Sequence, residues 1–489
     1  MLRALPPLTA GILLADHYVL PLWLLVGGFL VCGILALLAD DRGANLATLG
    51  AILLFGMTVT ELGHTPAPPT GTPGEYEIIV RERLSEREGK TASGASLRAL
   101  RNSETGEWLP AAGNLVVRCD SSTVLNPGDR AVVRGKIYPF TARHGGYGRL
   151  MTRRGYVGTL YLNRSSLLLR DTLHRELSPK HLSLFLHERA VARLDRLALA
   201  PDEQALCNAM TAGDRRSLSP ALRAAYSRSG TSHLLAVSGL HVGIVFLLAN
   251  LLLWWLPLFR HGHILRNIAV ILLIWLYAAT TGFPPSVVRA ALMFSVLQFA
   301  LASSSEYVGM NTLAGVAFVM LLFHPDYLFD ISFQLSFIAV AGIIAWGLPL
   351  CRLLRTRRKS IDMLTATLAI GFSASAATAP LISHTFGQIS VVGLALNPVV
   401  ILLSYVVVGS CTLWLVIPGT ALAPLFSVVA GFAARAQNEL IRAAAALPAA
   451  ALDIRLTTTQ CWSVYGLFIF ATLLLWSAER KKSVSSLPE

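Results

Sequence analysis

The chain has 489 residues, 54% of them hydrophobic and 14% charged, with a mean hydropathy of +0.57 and a formal charge of +13. Soluble proteins of such length carry about a quarter of their residues as charges, so a water-facing multidomain protein is excluded. Apolar runs of about 17–25 residues recur instead, each long enough to cross a bilayer as a helix. The expected fold class is a polytopic α-helical membrane protein.

Residues 1–63 form the first apolar region, without a convincing secretory cleavage site after a short hydrophobic core. The run from Leu8 to Leu38 is too long for one ordinary span, and Asp16-His17-Tyr18 and Pro21 interrupt it. It reads as two short spans or a re-entrant hairpin. Asp40-Asp41-Arg42 predicts a turn, Leu46 to Leu62 a further span, and the proline-rich HTPAPPTGTPG at 64–74 a linker.

Between Glu75 and Ala200 the pattern changes. EYEIIVRERL, ASLRALR, GNLVVRCD, DRAVVRGKIYPF and VGTLYLNRSSLLL are short, rich in β-branched residues and punctuated by Gly, Pro and Asn. They predict about five strands and a small OB-fold-like β-barrel inserted between the spans. Ser178 to Ala200 follows as a basic amphipathic helix, placed either on the membrane surface or against the barrel. The domain 64–200 also holds much of the positive charge: Arg130, Arg134, Lys136, Arg143, Arg149, Arg153 and Arg154 alternate with Tyr138, Tyr147 and Tyr156. Between residues 130 and 175 only Asp171 opposes the cations. Cations neutralise phosphates and aromatic rings stack on unpaired bases, so these ten residues are the candidate DNA-binding set. The bland alternative is a solvated basic surface facing anionic lipid.

Spans resume at 232–258, 264–283, 286–304, 308–323, 331–350, 362–384 and 388–417, with a more polar segment at 421–446 and a last span near 459–478. Basic clusters at Arg260 and Arg266, at Arg352 to Lys359 and at Arg480 to Lys482 can all be cytoplasmic if 421–446 also crosses. The domain 64–200 is then extracytoplasmic, 201–480 forms the main transmembrane domain, and 481–489 is a short basic tail.

One stretch stands out. AYSRSGTSHLLAVSGLHVGIV, 225–245, places histidines, serines and glycines at the entry to an apolar run. It closely resembles the signature of the ComEC family of DNA-uptake channels in natural competence. GDRRSLSPALRAAYSRSG (213–230), TGFPPSVVRAALM (281–293), HPDYLFDISFQLSFIAVAGI (324–343) and APLISHTFGQISVVGLALNPVV (379–400) resemble further blocks in the family's order. Residues 126–162 are similar to the end of its extracellular OB-like domain. The resemblance implies an inner-membrane, multi-pass channel that imports single-stranded DNA during transformation and is not itself an enzyme. It also implies partners: a periplasmic DNA-binding protein, a cytoplasmic motor or strand-binding protein, a separate nuclease, or a second copy in a homo-oligomer.

Many relatives append a metallo-β-lactamase-like domain. This chain ends soon after its last span and contains no HxHxDH cluster, since His261-Gly262-His263 lacks the acids, so a short form without metal or other cofactor is expected. Glu88-Gly89-Lys90-Thr91 has Leu84 where a P-loop needs glycine, and reads as chance. The alternative function is transport of another anionic polymer or amphiphile with no competence role.

The candidate pore-lining or gating residues are His233, Ser238, Gly239, His241, Gly243, Arg289, Asp330, Gln334, His384, Gln388 and Asn397. Gly239 and Gly243, four apart, make a notch for a neighbouring helix. Ser238 and His241 can hydrogen-bond across that contact, so helix packing competes with a pore role. Arg289 lies about one turn inside its span, where it snorkels to head groups or lines a wet path. Asp330 and Gln334 share a helical face and Asp330 is a partner for Arg289, whereas Ser332 and Ser336 back-bond to their own helix. His384, Gln388 and Asn397 surround a break that Pro380 and Pro398 are expected to reinforce. Of the cysteines, Cys119 and Cys207 are candidates to pair, and the other four read as apolar fillers.

Overall fold

The computed structural model describes residues 1–18, 20–62, 73–87, 90–101, 105–120, 123, 125–140, 148, 151–152, 155–171, 179–303, 309–417, 423–448 and 450–485. Side chains are described there except at 82–83, 85–87, 90, 179–181, 300–303 and 474–485. The chain forms two units, one of Met1–Ala190, Ala278–Phe283 and Ala314–Asp330, the other of Val191–Tyr277, Pro284–Leu313 and Ile331–Glu489.

The first unit opens with α1 (Leu5–Ala15), α2 (Leu22–Leu38) and α3 (Asp41–Leu62). The interrupted run is therefore two helices, and Pro21 stands at the N-cap of the second. A Cβ at Gly56 would lie 2.7 Å from the Leu8 carbonyl, and one at Gly11 would run into that of Leu53, so α1 and α3 cross backbone to backbone.

The barrel follows in β1 (Pro73–Arg87), β2 (Lys90–Arg101), β3 (Trp108–Cys119), β4 (Arg130–Pro139), β5 (Tyr156–Leu162) and β6 (Leu167–Asp171). The sheet order is β1-β2-β3-β5-β4, and β1 pairs again with β4. Five strands thus close a barrel in which the β3–β5 pair is parallel, the OB-like topology the strand pattern predicts. VGTLYLNRSSLLL is not one strand. Asn163 Oδ1 accepts from Ser166 N–H at 3.0 Å, capping a 3-10 turn that sends the chain into β6 against β4. In β4, Ala131, Val133 and Ile137 fill the core while Arg130, Arg134, Lys136 and Tyr138 stand on the outer face.

Helix α4 (Pro179–Leu194) is shorter than predicted. It docks on the turn at 278–283 through Ser183 Oγ to the Ala279 carbonyl at 2.6 Å and His187 Nδ1 with the Thr280 carbonyl at 3.0 Å.

The second unit contains α5 (Pro201–Thr211), α6 (Pro220–Arg228), α7 (Gly239–Leu252), α8 (Gly262–Thr280), α9 (Pro285–Ser303), α10 (Gly309–Phe323), α11 (Ile331–Gly342), α12 (Leu348–Leu353), α13 (Lys359–Phe386), α14 (Val392–Val416), α15 (Ala423–Ala445) and α16 (Thr458–Ser485); α8 and α10 each run partly into the first unit. A π turn at Ile343–Gly347 joins α11 to α12. Among the described residues six segments are long and apolar enough to cross a membrane: Asp41–Leu62, Gly239–Leu258, Gly262–Thr280, Ile331–Leu353, Lys359–Phe386 and Val392–Val416. Shorter apolar helices are Leu5–Ala15, Leu22–Leu38, Pro285–Phe299 and Gly309–Phe323. The protein is a multi-pass helical membrane protein with an inserted barrel.

Two expectations about the backbone change. The span placed at 232–258 starts as a helix only at Gly239, because Ser232–Leu234 is a separate 3-10 turn. Pro380 and Pro398 lie inside continuous helices; the break falls at Gly387, whose φ of +72 ends α13.

The polar segment at 421–446 is α15, and its polar residues meet partners on α5 and α6. Gln437 and Asn438 are buried: Tyr226 donates to Asn438 Oδ1 at 3.1 Å, Gln437 Nε2 donates to Tyr226 Oη at 3.3 Å, and Asn438 Nδ2 donates to the Asp202 carbonyl at 3.2 Å. Arg435 pairs with Glu203 at 2.7 Å, and Arg442 pairs with Asp202. Burial holds the Tyr226 phenol well above its ordinary range. The apolar remainder, including Leu206, Met210, Val407, Ala434 and Ile441, forms the largest core of this unit.

Candidate functional site

The signature segment, α9 and α11 meet at one polar joint. Ser238 stands at the N-cap of α7, and His241 Nδ1 accepts from Ser238 N–H at 2.8 Å. Ser238 Oγ lies 3.2 Å from the same nitrogen. An acceptor at Nδ1 leaves the imidazole proton on Nε2. Among the described residues that atom is buried without a partner, and His241 as a whole is 0% exposed. The serine–histidine pair therefore closes a capping box within one helix end rather than bridging two helices. Its basic nitrogen is occupied by a backbone N–H, so it does not activate the serine.

Gly239 and Gly243 both face α9. A Cβ at Gly239 would lie 2.8 Å from Arg289 Nη2, and one at Gly243 would lie 3.5 Å from the Phe294 ring, which stacks on Phe246. The notch expected from the glycine spacing is present, and half of it is filled by a guanidinium. Ser286, one turn before Arg289, donates to the Val237 carbonyl at 2.8 Å and ties the start of α9 to the signature.

Arg289 itself is 7% exposed. Nε donates to Ser336 Oγ at 2.7 Å, Nη1 approaches Met293 Sδ at 3.5 Å, and the guanidinium sits 5.8 Å from the Phe337 ring centre. Ser336, expected to back-bond to its own helix, accepts from Arg289 instead. Asp330 immediately precedes α11, and its N–H donates to the Tyr327 carbonyl at 3.0 Å. Gln334 lies on the first turn of α11.

His233 is exposed on its 3-10 turn. His384 Nδ1 is held by the Leu456 carbonyl at 3.0 Å, and neighbouring Ser383 donates to the Ile454 carbonyl at 2.6 Å. Gln388 is exposed just past Gly387, while Asn397 lies within α14 with Oδ1 buried and unpartnered. A two-residue sheet, β7 (Ile389–Ser390) with β8 (Ala451–Leu452), straps this bend to the segment before α16.

On the barrel β1 supplies carboxylates to Arg101, Arg130 and Arg134. Arg134 Nε donates to Glu75 at 3.1 Å and Arg101 Nη1 to the same carboxylate at 2.9 Å, while Arg130 pairs with Glu77. These guanidinium groups hold the Glu75 carboxyl below its ordinary value near 4.5. Arg170 pairs with buried Asp129 at 2.6 Å. Asp171 is thus not the sole opposing acid. Glu75 and Glu77 come from fifty residues or more upstream, and only the β1–β4 register brings them across. Tyr156 packs into a small core with Val116 and Met151. Arg143, Tyr147, Arg149, Arg153 and Arg154 lie outside the described residues.

Among the described residues, Lys136, Tyr138 and Tyr161 stay open on this face. The two rings are 47% and 54% exposed and meet edge to face at 5.7 Å, with the Lys136 ammonium 5.7 Å from the Tyr138 centre. Tyr161 was not among the expected residues. Its outward parity on β5, visible as the alternation YVGTLYL, is the signal that finds it.

Among the described residues no group of three or more His, Cys, Asp or Glu side chains converges as a metal site would require. Cys119 and Cys207 are both free and buried, the first in the barrel core and the second in the helical core with Cys411.

Comparison with known proteins adds lineage to this geometry. No solved structure matches the chain. ComE operon protein 3 of Bacillus subtilis (strain 168) is 33% identical over 204 residues, which cover 41% of this chain and 24% of that protein. An uncharacterized protein of Aquifex aeolicus (strain VF5) is 29% identical over 201 residues, 41% of this chain and 45% of its own length. Less than half of either relative is therefore matched. The family model described as "Competence protein" matches residues 210–481, which take in the capped signature, Arg289 and the helices around them; the chain belongs to the competence protein family.

Proposed function

We propose that the protein conducts single-stranded DNA across the cytoplasmic membrane during competence, with the barrel as its outer guide. The observation that carries this reading is Arg289, a buried cation held by neutral groups where the signature segment meets α9 and α11. A bilayer-embedded guanidinium is costly, by several kcal/mol, and persists where it meets water or an anion. A nucleic acid strand supplies one anion per nucleotide. A few polar groups along the path suit a moving polymer better than a dense cationic lining, which would trap it.

The barrel contributes stacking beside its positive charge. Tyr138 and Tyr161 offer π faces to unpaired bases, and Lys136 sits beside them. In this reading residues 64–200 face outward, His233, Gln334, Gln388 and Asn397 border the path, and the basic clusters face the cytoplasm. The chain performs no chemistry. Force, strand selection and degradation come from other polypeptides: a motor or strand-binding protein inside, a DNA-binding protein outside and a separate nuclease. Any homo-oligomer would leave Arg289 inside each copy.

The test is uptake of labelled DNA into the cytoplasm of a strain lacking the gene and complemented with variants. Wild type restores uptake and Arg289→Ala does not, with equal amounts of protein in the membrane. Full uptake by Arg289→Ala removes the arginine from the path. Full uptake by the deletion strain removes the protein from the process.

A further inference from the structure

The loop between α12 and α13 closes a tight helical hairpin. Its two arms, Ile331–Leu353 and Lys359–Phe386, are each long and apolar enough to cross a membrane. They pack closely. A Cβ at Gly342 would lie 2.5 Å from that of Ala377 and 3.0 Å from the Ser373 carbonyl, and Cys351 Sγ lies 3.7 Å from the Ala366 carbonyl. The side chains of the tip therefore share one small region where two apolar segments end.

That region is basic. From 352 to 362 the chain reads RLLRTRRKSID, five cations against the single carboxylate of Asp362. Asp362 Oδ1 accepts the Thr356 N–H at 3.0 Å, and Thr356 Oγ1 donates to the Arg358 carbonyl at 3.3 Å, which holds the loop in shape. Arg355, Thr356, Arg357, Lys359 and Asp362 line one open cleft of about 530 Å³. Pockets that take small ligands span about 300–1,000 Å³. Arg355, Arg357 and Lys359 are exposed, and none of the three forms an ion pair with another described residue.

Beside the cleft the surface is apolar. Leu353 is 80% and Met363 69% exposed, and Leu354, Ile361 and Leu364 are exposed with them. A cationic cleft flanked by bare apolar side chains, at the end of two spans, complements an amphiphile with an anionic head. A nucleic acid strand would match the cations and leave the leucines uncovered. Phosphate chemistry suits the cations, because the planar fork of arginine meets two phosphate oxygens at once and lysine adds a point charge.

We propose that this cleft binds the phosphodiester head group of an anionic phospholipid through Arg355, Arg357 and Lys359, with its acyl chains beside Leu353 and Met363. The lipid ties the end of α12 to the start of α13 and relieves the repulsion among three like charges that face one cleft. The hairpin is thereby firmer in an anionic membrane than in a zwitterionic one. The site stands whether or not the bundle conducts a strand.

The test uses the purified full-length chain in neutral detergent and reads its thermal unfolding midpoint at constant ionic strength. Phosphatidylglycerol raises the midpoint saturably in wild type, and phosphatidylcholine does not. Two double variants each remove two exposed cations from the same loop, where such changes leave the fold intact. Arg355→Gln with Lys359→Gln strips the cleft and raises the half-saturating phosphatidylglycerol concentration about tenfold or more. Arg352→Gln with Arg358→Gln removes equal charge outside the cleft lining and shifts it by less than about threefold.

A wild type without a saturable rise overturns the proposal, and so does an equal loss in the two double variants, the mark of diffuse attraction to an anionic surface. Two further ligands separate the alternatives. Inorganic phosphate that acts at the same concentration as phosphatidylglycerol makes this a site for a free anion and overturns the lipid. A thymidine oligomer whose effect only the cleft variant loses, where phosphatidylglycerol acts on all three proteins alike, gives the cleft to nucleic acid and overturns it too.

Discussion

The paired arginines of the barrel and Arg289 of the helical unit are held in opposite ways. On the barrel, Arg101, Arg130, Arg134 and Arg170 each find a carboxylate, and the first three stay largely exposed in doing so. Exposed ion pairs of this kind contribute about 0–1 kcal/mol and are screened by salt. In the helical unit Arg289 is buried and its contacts are neutral. Abundance of positive charge is therefore a poor guide to where an anion is handled. Four of the barrel's described arginines are held by acids, while Arg289, buried in the helical unit, has only neutral groups among its described contacts.

The largest effect that would break this comparison is at Arg289 and the glycine beneath it. Gly239→Val places side-chain atoms on Nη2 and is expected to reduce DNA uptake about a hundredfold, as Arg289→Ala does, with membrane levels retained. Uptake by Gly239→Val within threefold of wild type would show that the guanidinium can leave without consequence. Next comes the barrel's stacking pair. Tyr138→Ala and Tyr161→Ala should each weaken single-stranded DNA binding by the full-length protein by about 1–3 kcal/mol, measured by fluorescence anisotropy. Equal affinity in both variants would return the barrel to a purely electrostatic role.

A comparable cost, on stability instead of binding, is expected in the α5–α6–α15 network. Asn438→Ala leaves the Tyr226 hydroxyl and the Asp202 carbonyl short of partners and should destabilise the helical unit by about 1–3 kcal/mol in chemical denaturation. The smallest effect sharpens the barrel side. Because Arg134 and Arg101 lower the folded-state value of Glu75, its contribution to stability is complete above the ordinary value near 4.5 and fades as pH falls through the lowered one. Glu75→Gln should flatten that acid limb. It should also release two arginines, giving tighter DNA binding with a steeper salt dependence.

Much of the architecture was legible along the chain. Hydropathy located the helices to within a few residues, and the period-2 runs located the barrel strands, because both signals are local. The errors arose where a local rule met a distant partner. VGTLYLNRSSLLL looked continuous until the Asn163 cap divided it, and Pro380 looked like a break although α13 runs through it. The polar residues of 421–446, considered alone, left open whether that segment crosses the membrane. Against Asp202, Glu203 and Tyr226, more than two hundred residues earlier, Arg435, Gln437, Asn438 and Arg442 find partners.

The candidate site divides in the same manner. The order of apolar runs, the inserted barrel, the Gly239–Gly243 spacing and the arginine at 289 follow from the sequence by itself, since each depends on residue type and short-range periodicity. Only the tertiary structure decided that His241 caps its own helix with one nitrogen and leaves the other unpartnered. It also decided that Ser336 receives Arg289, and that Glu75 and Glu77 pair with Arg101, Arg130 and Arg134. Hydrogen bonds and ion pairs act over a few ångströms in space, and no periodicity along a chain encodes which two distant residues will come that close.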